Sequence, residues 1–126
     1  MYADTVVVDL ESMDWKPHPR FEGVEVRLAH GGLNPDEFSQ MWIRLEPDGG
    51  QIPPHVHEGL DECFFILEGH GRALVRGEHK EVAAGTSIYA PEGAEHGLIN
   101  DGPTPLCLLA NFIPAVHFVP PSLDDS

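Results

Sequence analysis

Cysteine is scarce in this chain: Cys63 and Cys107 are the two in 126 residues. Two cysteines build no disulfide framework, and reduced, buried thiols in a cytoplasm are the expectation. No apolar run is long enough to cross a bilayer as a helix. The opening Met1-Tyr2-Ala3-Asp4 lacks the basic and then apolar order of a signal segment, which also reads as cytoplasmic. Basic residues are few, 7 Lys and Arg against 21 Asp and Glu, for a net charge of −14. Protonating all eight histidines would leave the sum negative. No basic stripe meets phosphates, which excludes nucleic acid, and an anionic membrane surface is excluded on the same ground. An acidic small molecule is not excluded, because charge is screened within about 8 Å at physiological salt and a bound cation sets its own local field. Long helical periods, internal repeats and a second domain are absent as well.

What the chain does have is turn residues. Thirteen glycines and twelve prolines punctuate short apolar runs, the pattern of an all-β domain with many turns. A chain of this length supports one core and buries roughly two-thirds of its unfolded surface. The reading divides it into an N-terminal strand and loop arm over 1–22, a barrel over 23–113 and a tail over 114–126. Thr5 to Leu10 is β-branched and predicts a strand at a sheet edge or against a second subunit. Trp15 to Arg20, broken by proline, predicts a loop over one rim. Gly23 to Leu28 alternates as a half-buried strand does. Phe38 to Leu45 predicts a longer strand with Gln40, Trp42 and Arg44 on one face and Met41, Ile43 and Leu45 on the other. Leu106 to Ile113 is nearly all apolar and predicts a central strand buried on both sides.

Two glycine-framed blocks carry the chemistry. The first runs Gly49-x5-His55-x-His57-x4-Glu62-x6-Gly69, and the second Gly85-x5-Pro91-x-Gly93-x2-His96-x3-Asn100. Pro53 and Pro54 forbid a helix before the histidines. Two residues apart on extended backbone, His55 and His57 point to one face. Glu62 to Leu67 predicts a strand with Glu62, Phe64 and Ile66 on one face. Glu68-Gly69-His70-Gly71 predicts a turn, with Arg72 to Arg76 returning as hairpin partner, and His79 to Val82 a further strand. Thr86 to Tyr89 predicts a short strand, Pro91 to Ala94 a turn, and Glu95 to Asn100 a strand with His96, Leu98 and Asn100 on one face. Imidazoles with a carboxylate suit a divalent ion of iron, manganese, nickel, zinc or copper. Glu58 and Asp61 compete with Glu62 for the carboxylate role. Glu62 is preferred for its spacing to Gly69 and its place in the strand. Asn100 reads as structural, and Gly49, Gly69, Gly85 and Gly93 as turn residues.

These blocks match, at Gly49, His55, His57, Glu62, Gly69, Gly85, Pro91, Gly93, His96 and Asn100, the two signature motifs of the cupin superfamily. The chain resembles its compact single-domain bacterial members over Gly49 to Asn100. The resemblance implies an all-β jelly-roll barrel with one divalent transition metal held inside by His55, His57, Glu62 and His96. Cupins of this kind include dioxygenases, isomerases and lyases, and the resemblance does not choose among them.

The functional expectation is a metal-dependent enzyme acting on a small enol, keto acid or sugar acid. The competing one is a non-catalytic binding or sensor module. Three neutral histidines and one carboxylate around a divalent ion leave a local charge of about +1 by formal count. No acid–base residue is evident; Tyr89 is the weak candidate, against an ordinary core tyrosine. Gln40, Trp42 and Arg44 line the substrate pocket if their face is the lumen, with Arg44 pairing a carboxylate, and strand parity alone leaves either face possible. His18, His30, His70, His79 and His117 read as surface residues, and Cys63, out of phase with Glu62, as no ligand. Open sheet edges predict a homodimer through an edge strand.

Overall fold

The computed structural model describes residues 7–29 and 38–114. Among these residues ten strands make two antiparallel sheets: β1 (Lys16–Pro17), β2 (Val24–Leu28), β3 (Ser39–Leu45), β4 (Gln51–His55), β5 (Asp61–Glu68), β6 (His70–Val75), β7 (Glu78–Ala83), β8 (Ser87–Ala90), β9 (His96–Ile99) and β10 (Leu106–Ile113). One sheet has the order β1-β2-β3-β10-β5-β8, the other β4-β9-β6-β7. From β3 onward the chain crosses between sheets at nearly every connection, which is the jelly-roll winding. A 3-10 turn, Leu10–Ser12, precedes the strands, and the Asp9 carboxylate caps it by accepting from the Glu11 N–H at 3.1 Å.

Alternation along the strands fills the space between the sheets. On β3 it buries Ser39, Met41, Ile43 and Leu45, on β5 Glu62, Phe64 and Ile66, and on β10 Leu106, Leu108, Ala110 and Phe112. Val24, Val26, Ile88, Ala73, Val82 and Leu98 complete the core. Each buried aliphatic side chain contributes about 1.5–3 kcal/mol relative to exposure. Polar side chains in this interior cluster at one end, where Ser39, His57, Glu62 and His96 are buried. At the opposite end Asn100 ties three segments: its Nδ2 donates to the Leu45 and Thr104 carbonyls at 3.1 and 2.8 Å, and its Oδ1 accepts from the Gly102 N–H at 3.0 Å.

Several sequence expectations are corrected. Arg72 to Arg76 does not return beside β5: β6 lies in the four-stranded sheet between β7 and β9. Gly69 makes that switch. Its φ is +93°, and an added Cβ would sit 2.4 Å from the Pro105 carbonyl oxygen, so only glycine fits the corner. Of the strand expected over Thr5 to Leu10, Thr5 and Val6 lie outside the described residues, and Val7 to Leu10 contains no strand but the start of the 3-10 turn. The segment Trp15 to Arg20 is not all loop, since Lys16 and Pro17 pair with Val26 and Glu25. β10 is central, but buried on both faces only at its start; Leu109 and Asn111 are half-buried and Ile113 is exposed. The tail beyond Pro114, His30 and His117 lie outside the described residues.

Candidate metal centre

His55, His57, Glu62 and His96 converge at one end of the barrel. One donor atom from each lies within 4.8 Å of every other. The two sheets supply them jointly. His55 ends β4 and faces His96, the first residue of β9, in the same cross-strand pair. His57 follows in the loop after β4, and Glu62 is the second residue of β5 in the opposite sheet. The strand carrying His55 contains Pro53 and Pro54, which lack the N–H a ladder needs. β4 is an edge strand, where proline is tolerated, and its register with β9 shifts between Ile52 and His55. Gly97 lets β4 approach: an added Cβ would lie 2.9 Å from the Ile52 carbonyl oxygen.

Two of the three imidazoles are held by a carbonyl two residues earlier. His55 Nδ1 lies 2.8 Å from the Pro53 oxygen and His96 Nδ1 3.1 Å from the Ala94 oxygen. A ring that donates from Nδ1 presents Nε2 to the centre, the arrangement that orients a metal-ligating histidine. His57 Nδ1 is buried with no hydrogen-bond partner among the described residues. The inward atoms crowd one another: His55 Nε2 and His57 Nε2 are 3.2 Å apart, and Glu62 Oε1 is 3.2 Å from His57 Nε2 and 2.9 Å from His96 Nε2.

The electrostatics of the cluster are set by burial and by the groups' contacts with one another. Burial alone would raise the Glu62 carboxyl, but hydrogen bonds from His57 and His96 outweigh it and hold the group below its ordinary value. Burial alone would lower His96, but its hydrogen bond and proximity to Glu62 raise it above the ordinary value. His55, desolvated by burial and placed beside His96 and His57, is lowered to about 4 despite its bond to the Pro53 carbonyl. Glu62 Oε1 and His96 Nε2, 2.9 Å apart, each favour the charged form of the other. The four residues fit a metal: neutral imidazole nitrogens and one buried carboxylate, aimed inward.

The other candidates are placed elsewhere. Asp61 points the other way along β5, and its Oδ1 accepts from the Glu92 N–H at 2.8 Å. Glu58 is exposed in the loop. Tyr89 lies between the buried Ile88 and Ala90, so it faces outward and is exposed, near Asp61. Gln40, Trp42 and Arg44 also lie on the outer face, because Met41, Ile43 and Leu45 are the buried set. Arg44 pairs with Glu25 there, and Trp42 meets Trp15 edge to face at 5.7 Å. Cys63 is half-buried and Cys107 buried, and both thiols are free. His70 and His79 are exposed.

His18 is different from its sequence reading. It is half-buried, stacked on Phe21 with ring centroids 4.5 Å apart, and Phe21 in turn lies 5.9 Å from the His55 ring. Burial, Arg20 and His55 together lower it to about 4. The β1–β2 hairpin therefore lies against His55, one of the four clustered residues. The signal available in sequence was weak: a proline-flanked histidine three residues before a phenylalanine.

Comparison with known proteins agrees with this geometry. Residues 41–112, more than half of the chain, match the family described as Cupin domain. Protein MJ1618 of Methanocaldococcus jannaschii is 30% identical over 95 residues, covering 75% of this chain and 76% of the relative. The oxalate-binding protein of Thermotoga maritima is 34% identical over 93 residues, covering 71% of this chain and 76% of that protein. A crystal structure from Thermotoga maritima, described as a predicted oxalate decarboxylase, superposes with a TM-score of 0.72 at 27% identity, covering 86% and 98% of the two chains. With the jelly roll, the four convergent donors and these matches together, the chain belongs to the cupin family.

Proposed function

We propose that this cupin is a metal-dependent enzyme acting on a small oxyacid that chelates the ion through two oxygens, of the keto-acid, enol or sugar-acid type. The observation that carries the reading is the convergence of four donor atoms within 4.8 Å, with two imidazoles tethered so that Nε2 faces the centre. Iron, manganese, nickel, zinc and copper all suit this set, and four protein donors do not saturate an ion that prefers six. A divalent ion held there would polarise a coordinated carboxylate or carbonyl and acidify a coordinated water. The chain's own residues supply the rest. Glu62 would give the negative charge to hold the ion, the Pro53 and Ala94 carbonyls fix two ring orientations, and Phe112 and Phe21 place apolar surface against His57 and His55. Apolar surface beside the rings would lower the local dielectric and so strengthen charge interactions in the site. The oxidative, isomerising and eliminating reactions are all compatible with this arrangement. Free thiols at Cys63 and Cys107 favour a reducing, cytoplasmic setting.

A second reading has its own support. The Thermotoga maritima relative is named for binding oxalate, and Tyr89, the acid–base candidate, faces away from the ligands. A metal-dependent binding module for a dicarboxylate is the alternative. Reconstitution with each metal under nitrogen, followed by calorimetry and turnover assays with oxalate, keto acids, enols and uronic acids, separates the two. Metal-dependent turnover with one of them is expected. Metal-dependent binding without turnover of any bound compound, with oxygen supplied, would establish the binding module, and failure of every oxyacid to bind the loaded protein would reject both.

A further inference from the structure

His57 is held differently from the other two imidazoles of the cluster. His55 and His96 sit in paired strands, each with Nδ1 on a carbonyl two residues earlier. His57 stands beyond the end of β4, and its Nδ1 has no such partner among the described residues. Phe112 meets its ring edge-on, with centroids 5.9 Å apart and planes at 88°. That contact limits the space for the ring but supplies no hydrogen bond. The position of His57 therefore depends on what holds its main chain.

The turn between β8 and β9 does so through three hydrogen bonds. The Gly93 N–H donates to the His57 carbonyl at 2.9 Å. The Gly59 N–H donates to Glu92 Oε2 at 2.9 Å, and the Glu92 N–H donates to Asp61 Oδ1 at 2.8 Å. Glu92 thus accepts from the loop through its side chain and gives to the far end of the same loop through its backbone. Both bonds run from an N–H to a carboxylate, the stronger charge-assisted kind. Asp61 precedes Glu62, and strand alternation turns the one outward while the other faces the cluster. The same turn carries Ala94, whose carbonyl faces His96 Nδ1 at 3.1 Å. One turn therefore sets two of the imidazoles, His96 through Ala94 and His57 through Gly93 and Glu92.

We propose that Asp61 and Glu92 are positioning residues, a clasp that fixes the His57 loop against the turn leading to His96 and so raises the affinity of the cluster for a divalent ion. The inference rests on the metal-binding reading of the four donors. Neither carboxylate belongs to the cluster of donors itself, so each acts through the loop it holds. Partners of this kind orient the groups that ligate. A competing cause is charge alone, since two further carboxylates near the site attract a cation whatever they bind. Asparagine and glutamine separate the causes, because each keeps an oxygen that accepts from the same N–H and loses the charge. Glu92 is exposed, so its charge is largely screened in salt, whereas its hydrogen bond is not.

Titration of the metal-free full chain with cobalt(II), read by calorimetry and by the visible absorption of the bound ion, tests this. The variants are Glu92→Ala, Glu92→Gln, Asp61→Ala and Asp61→Asn, with Glu58→Ala as a charge control on the same exposed loop. Each alanine variant of the clasp is expected to bind cobalt about tenfold more weakly, the low end of the roughly 10–100-fold known for groups that support ligands. Its cobalt spectrum should change as well, because His57 leaves its place, which a general loss of stability would not produce. The two amide variants and Glu58→Ala should stay within about threefold of the wild type, the worth of a screened surface charge. Alanine variants with wild-type affinity and spectrum would overturn the proposal, and so would amide variants that weaken as much as the alanine ones. A wild type that binds no cobalt would overturn the metal-binding reading itself, and the clasp with it. Should Asp61→Ala lose the circular dichroism of the barrel, the Glu92 pair decides on the same criteria, since Glu92 lies in an exposed turn.

Discussion

His55 and His96, paired across the site, hold their protons differently: one is lowered and the other raised. In the metal-free protein His18 and His55 are both lowered to about 4 from the ordinary 6.5. As pH falls below 6.5 the unfolded chain takes up protons that the folded chain refuses, so their contribution is present above 6.5 and lost towards 4. His96 is raised; its contribution is complete below 6.5 and is lost as pH rises through its folded value. Glu62 is lowered, so its contribution is present above the ordinary carboxylate value and lost on further acidification. Urea midpoints of metal-free protein should accordingly pass through a maximum near pH 6.5 and fall on both sides. A midpoint that climbs steadily from pH 6.5 to 4 would contradict the two lowered histidines. Glu62→Gln should keep the shape of the site while removing its anion, and isothermal titration should show metal affinity reduced by roughly 10–100-fold or more, the range known for supporting groups being a lower bound for a ligand. That His55, His57, Glu62 and His96 could meet was legible from the spacing of the two glycine-framed blocks and their resemblance to the cupin motifs; that His57 sits in the loop just past β4 was not. The orientation of Gln40, Trp42 and Arg44 was not. Both faces of β3 carry apolar side chains, so alternation gave no preference, and the Trp15 layer that covers the outer face comes from a segment read as loop.

At the scale of strands, the site depends on how closely β4 lies against β9. Gly97→Ala would place a methyl 2.9 Å from the Ile52 carbonyl oxygen and 3.0 Å from the Pro54 nitrogen. β4 must then move, and His55 moves with it away from its cross-strand partner His96. A loss of about 1–3 kcal/mol in stability is expected from the overpacking, together with weaker metal binding, measurable by denaturant unfolding and metal titration on the same sample. Unchanged values in both would show that β4 does not need the close approach. Strand positions were largely readable from alternation and turn residues. The switch of the chain at Gly69 was not, because a glycine turn looks the same whether the strand returns in its own sheet or starts another. What decides is that β5 is flanked by β10 and β8, partners more than 18 positions away in sequence.

For the molecule as a whole, the acidic surface and the compact interior act in opposite directions. A net charge of −14 repels itself within the folded chain, so added sodium chloride should raise the melting temperature of the metal-free protein as screening shortens from about 8 Å at physiological salt to about 3 Å at 1 M. A melting temperature that falls with salt would mean that attractive ion pairs such as Arg72 with Asp101 outweigh the repulsion. The interior around Ile66, Leu45, Leu106 and Leu108, all without exposure, holds the two sheets together. Ile66→Ala should cost about 2–5 kcal/mol by denaturant unfolding. The whole-chain winding brings residues 55, 57, 62 and 96 to one end of that interior. The most direct test of the account is a count of bound metal after reconstitution and removal of excess ion, in wild type and in the His57→Ala and His96→Ala proteins. Close to one ion per chain in the wild type, and nearly none in either variant with the dichroism of the barrel unchanged, is predicted. A folded wild type that holds no ion, or variants that hold as much as the wild type, would contradict it.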